Sequence, residues 1–135
     1  MADQELWNEL LKQAQGRYQT INEALRVTKE IADALSRDDR VAAQMLLGMR
    51  QESLDSLSES MEKIYQLLRC ASEEEQAGIL SLLKGESQAS PEDTFEKKKL
   101  GEIGENIRRT LEKTVELDRG ISVRLAGKDS FYQGT

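Results

Sequence analysis

The stretch Trp7–Leu35, WNELLKQAQGRYQTINEALRVTKEIADAL, decides the fold. It contains no proline, and its apolar groups recur in steps of four and three: Trp7, Leu11, Ala14, Tyr18, Ile21, Leu25, Thr28, Ala32 and Leu35. An α-helix advances about 3.6 residues per turn, so this spacing gathers those groups on one side. Leu10, Ala24 and Ile31 widen the stripe on one flank. A stripe broader than two positions per heptad suits a helix bundle better than a two-stranded coiled coil. Ser36-Arg37-Asp38-Asp39 closes the segment, and Asp38 or Asp39 can cap the next helix by accepting from its free first-turn amides.

The same pattern continues outward. A second seam runs through Ala43, Leu47, Arg50, Leu54, Leu57, Met61, Ile64, Leu68 and Ala71. Ser72-Glu73-Glu74-Glu75 forms a capping box and starts a short helix, which Gly85 stops. Ser90-Pro91-Glu92-Asp93 predicts the next start, with Ser90 as cap and Pro91 in the first turn. The last seam is Leu100, Gly104, Ile107, Leu111, Thr114, Asp118, Ile121 and Leu125, ended by Gly127. The expectation is an all-α antiparallel bundle of three long helices with one short helix between the second and third. Residues 1–127 form a single domain with helices at about 3–36, 39–71, 73–84 and 91–126, and residues 128–135 form a flexible tail. Long helices of this size make a rod roughly 50 Å in length.

Composition narrows the chemistry. With 135 residues the chain is the size of one domain. It has 1 Pro, against about 5% in average usage, which accords with long uninterrupted helices. With no histidine, Ser-His-Asp and Cys-His triads and His phosphotransfer are excluded, as are the Glu-x-x-His pairs of diiron bundles. Cys70 alone predicts no disulfide and no structural zinc, and its place near the end of an apolar helix predicts a buried thiol. A net charge of −6 and 4% aromatic residues argue against a nucleic-acid partner. The N-terminus lacks a basic, apolar leader, and the longest nearly apolar run, Val41–Met49, is far too short to span a bilayer. A cytoplasmic protein without catalysis or cofactor is expected.

Two seam positions are charged. In antiparallel register, Arg50 beside Asp118 places Leu57 near Leu111, Met61 near Ile107, Ile64 near Gly104 and Leu47 near Ile121. This predicts a partly buried Arg50–Asp118 ion pair that fixes register. Glu73-Glu74-Glu75 is explained as a helix N-terminus, and Lys97-Lys98-Lys99 with Arg108-Arg109 as a solvated face. Val41, Met45, Leu46 and Met49 add apolar groups on other faces of the second helix. Two readings stay open for them: burial beneath the short helix, or a pliable groove for a partner's amphipathic helix. Phe131 and Tyr132 in the tail could fold back on the same groove.

The stretch Leu25-Arg26-Val27-Thr28-Lys29-Glu30-Ile31-Ala32-Asp33-Ala34-Leu35, then Ser36-Arg37-Asp38-Asp39 and Met45-Leu46-Leu47-Gly48-Met49-Arg50-Gln51-Glu52-Ser53-Leu54, resembles the FlgN family of flagellar type III export chaperones, with FliT chaperones close behind. There a long first helix ends in an Ala-Leu-x-x-Gly-Asp turn, and the second begins with paired leucines and an Arg-Gln or Arg-Glu element. Here Arg37 stands where glycine is usual in that turn. Leu117-Asp118-Arg119-Gly120-Ile121 is similar to the family's last helix. The resemblance spans about residues 6–126. It implies a non-catalytic chaperone that binds the helical terminal segment of a hook–filament junction or cap protein, through its C-terminal half, and delivers it to the export apparatus. A non-catalytic structural or signalling adaptor bundle is the alternative. The stretch Asp39-Arg40…Leu46-Leu47…Arg50 also faintly resembles the central helix of all-helical chorismate mutases.

Overall fold

In a computed structural model, helix α1 (Asp3–Ser36) packs against both α2 (Arg40–Leu68) and α4 (Phe95–Gln133), and α3 (Glu73–Leu83) packs against α4. The structure describes the backbone of residues 3–133 and the side-chain surroundings of residues 3–123. Among the described residues every regular element is a helix, and no helix is long and apolar enough to cross a membrane. Cross-helix contacts give the directions. Arg17 donates to the Leu57 carbonyl at 2.7 Å and Ser60 to Gln13 at 3.3 Å, so α1 and α2 run oppositely. Gln4 donates to Glu96 at 3.4 Å, while Val27 and Ile31 cluster with Ile121, so α1 and α4 run the same way.

The buried stripe of α1 is Leu6, Leu10, Ala14, Ile21, Ala24, Val27, Thr28, Ile31 and Ala34. Its centre therefore passes through Leu10, Ala24 and Ile31, which the sequence pattern assigns to a flank. Trp7, Leu11, Tyr18 and Leu35 instead pack from its edge, half-buried. The physical reason is that α1 has two neighbours. Its buried arc is wide, small residues sit where helices approach most closely, and the larger groups reach inward from the sides. Thr28 is fully buried, and its hydroxyl donates to the Ala24 carbonyl at 2.7 Å, which satisfies it.

The turns follow local chemistry, with four departures from expectation. Asp39 caps α2 by accepting from the Ala42 amide at 3.1 Å, and Ser72 caps α3 by accepting from the Glu75 amide at 3.2 Å. Before Asp39 the chain is left-handed at Asp38, with φ 56°. The conformation that calls for glycine thus falls on Asp38 and not on Arg37. Gly85, at φ 70°, ends α3 as expected. Second, α4 begins at Phe95, not at 91: Ser90–Asp93 closes a turn through the Asp93 amide and Ser90 carbonyl, 3.0 Å apart. Proline suits the second position of such a turn, and the Thr94 hydroxyl takes over the capping, accepting from the Lys97 amide at 3.3 Å. Third, the α4 backbone continues to Gln133 through Gly127. A helical glycine costs only about 1 kcal/mol and does not by itself end a helix. Fourth, Cys70 is exposed, because it lies in the turn after buried Leu68.

Candidate functional site

The two ends of the molecule are packed differently. The larger core cluster joins Leu10 of α1, Ile64 and Leu68 of α2, Ile79, Leu82 and Leu83 of α3, and Leu100 and Ile107 of α4. Among the described residues the other end holds a smaller cluster of Val27, Ile31 and Ile121, with Ala32, Leu35 and Leu46 against it. The difference is α3. Its C-terminal turn sits directly on α4, so closely that a Cβ on Gly104 would lie 1.8 Å from the Leu82 carbonyl oxygen. At about 1.5 Å per residue, the 11 residues of α3 reach along less than a third of the 39-residue α4. Among the described residues no further helix follows beyond its end on that face.

Exposed apolar side chains are concentrated in the half that α3 does not reach. They include Val41, Met45, Leu47, Met49 and Leu54 on α2, and Leu111, Val115 and Val123 on α4. Leu47 and Leu54 lie three residues before and four after Arg50, and Val115 lies three before Asp118, so each set shares a helix face. Arg50 Nη1 donates to Asp118 Oδ1 at 2.5 Å and joins the two faces. The pair is half-buried, with side-chain exposure of 21% for Arg50 and 43% for Asp118. A surface cavity of about 490 Å³, lined by Lys84, Arg108, Leu111, Glu112, Val115 and others, opens where α3 ends. The continuous apolar α2–α4 seam expected from sequence is therefore incomplete: Leu47, Leu54 and Leu111 are 43%, 46% and 40% exposed.

The residues singled out from sequence divide. Val41 and Met45 stand 77% and 69% exposed, and α3 does not cover them, since it packs on α4 at the opposite end. Met49 borders a separate groove between α1 and α2, with Val27, Gln19 and Ser53. Leu46 belongs to the small second core. Phe131 and Tyr132 lie within the backbone span of α4, but their side chains are outside the described residues. Leu47, Leu54, Leu111 and Val115 were missed as surface groups. The available signal was the brevity of α3, which cannot cover inner faces along the whole of α4.

Several charged groups on the long helices pair with one another. Lys99 pairs with Glu102, Arg108 with Glu112 and Arg109 with Glu105, so three of the five cations in the basic stretch of α4 are paired with acids on the same helix. Arg26 binds Glu23 and Glu30; its hydrogen bond holds the Glu23 carboxyl below the usual range and raises the Arg26 guanidinium. Arg17 differs. Its Nε is buried without a hydrogen-bond partner, and burial lowers its pKa, opposed by Tyr65. Arg40 is exposed beside Asp38 and Arg50 is engaged by Asp118, so these two cations do not line a common dianion site. Among the described residues no group of three or more His, Cys, Asp or Glu side chains is placed to hold a metal. Compared with family models, curated proteins and solved structures, the chain matches none of them.

Proposed function

We propose that this chain is a non-catalytic, cytoplasmic helix-binding protein of the flagellar export chaperone type. We read α1, α2 and α4 as an antiparallel bundle in which α3 is a short fourth helix and the remainder of its track is left for a partner. The partner is the helical terminal segment of a hook–filament junction or cap protein, held unassembled until it reaches the export apparatus. One observation carries this reading: large apolar side chains are exposed mainly on the half of the bundle that lacks a fourth helix. A partner helix laid there buries Leu47, Leu54, Leu111 and Val115 much as α3 buries Ile79, Leu82 and Leu83 at the other end. Two further features support it. Asp38 is left-handed where, counted from Ala34-Leu35, the Ala-Leu-x-x-Gly-Asp turn has its glycine. Met45 stands exposed in the same half of the bundle, and its flexible side chain adapts to varied partners.

Terminal helical segments of junction and cap proteins from the same genome, titrated as peptides in a calorimeter, test this. Saturable one-to-one binding is expected, weakened at least about tenfold by Leu111→Glu or Met45→Glu with the far-ultraviolet helix signal unchanged. Absence of binding by every segment, or unchanged binding by both variants, contradicts it.

A further inference from the structure

At the opposite end, a cavity of about 500 Å³ lies between the first turns of α1, the outer side of α3, the 85–94 connection and the start of α4. Its apolar lining is Leu6, Trp7, Ile79, Leu82 and Ala89. Leu6, Ile79 and Leu82 are buried core residues, while Trp7 and Ala89 are only partly buried and present surface to the space. Gly78 completes the α3 wall, and a Cβ there would meet nothing within 4 Å. Gly78 is exposed, so a side chain added there would extend into the cavity. The charged lining residues are Asp3, Glu74, Glu75, Asp93 and Lys97, an excess of three negative charges from four acids and one base. Asp93 is turned into its own loop, accepting from the Ser90 amide at 2.7 Å. Asp3, Glu74 and Glu75 form no ion pair among the described residues.

We propose that this cavity is a second docking site, independent of the helix-binding surface, and that it takes an arginine side chain carried on an apolar segment of a partner protein. Charge complementarity selects a cation. The carboxylates are not gathered into a metal-holding group, which favours an extended organic cation over a small ion. An arginine has the matching form: its alkyl stem packs on the surface that Trp7 and Ala89 present, and its planar guanidinium donates to the carboxylates at the mouth. Apolar neighbours in the same segment cover the remaining lining.

The chain has a single tryptophan, so Trp7 reports on the site by its own fluorescence. The probe is a blocked Leu-Arg-Leu tripeptide amide, compared with the same peptide carrying neutral, isosteric citrulline. The arginine peptide is expected to change Trp7 emission saturably in the millimolar range, and the citrulline peptide to bind at least about tenfold more weakly. Asp3→Asn combined with Glu74→Gln should weaken the arginine peptide similarly. Gly78→Leu, which extends into the cavity, should abolish binding with the thermal transition retained; should it fail to fold, nuclear magnetic resonance shifts of the Trp7 indole and Gly78 amide in the unaltered protein report occupancy directly. No saturable change with the arginine peptide, equal binding of the citrulline peptide, or shifts that bypass Trp7 and Gly78 overturn the proposal.

Discussion

Single residues carry three expectations. Asp38 adopts φ 56°, a conformation glycine reaches without a Cβ penalty. Its ion pair with Arg40, 3.9 Å apart and exposed, offsets little of that. Asp38→Gly should stabilise the protein by about 0.5 kcal/mol, read from the midpoint of urea unfolding at unchanged slope. Arg17 buries an unpartnered Nε, while the Leu57 carbonyl it meets belongs to the interior of α2 and has its own helical bond. Arg17→Met keeps the packing stem and removes the orphan donor, so stability should rise by about 0.5–1 kcal/mol; an equal loss would show that the guanidinium contact matters more. For Arg50 and Asp118, exposure of 21% and 43% places the pair well short of full burial. A double-mutant cycle with Arg50→Met and Asp118→Leu should give a coupling of about 1 kcal/mol, below the roughly 3–5 kcal/mol of a sealed pair.

Among the elements, α3 and its seat on α4 matter most. A methyl group on Gly104 would collide with the Leu82 carbonyl, a backbone atom that cannot yield without moving α3. A methyl group on Gly48 meets nothing within 4 Å. Gly104→Ala should therefore destabilise by about 2–4 kcal/mol, while Gly48→Ala stabilises by about 0.5–1 kcal/mol, both measured by thermal unfolding. The elements themselves were legible in the sequence because heptad spacing, capping residues and Gly85 act locally. The Arg50–Asp118 contact was legible because two charges interrupt otherwise apolar stripes. The start of α4 was not, because Ser90 and Thr94 both offer a cap and Pro91 suits a turn as well as a first helical position. The open faces at Leu47, Leu54 and Leu111 were not legible either. A seam states which side of a helix is apolar, and only the tertiary arrangement states whether anything covers it.

At the scale of the whole molecule, one end is closed by four helices and the other is held by a smaller cluster with apolar groups beside it. The proposed function requires that the uncovered end take a partner's helix. Hydrogen exchange of the protein, free and saturated with a junction-protein terminal segment, tests that most directly. New protection is expected in α2 around Leu47–Leu54 and in α4 around Leu111–Asp118, with α3 unchanged. Protection confined to α3 and the first turns of α1, or none in α2 and α4, would contradict it.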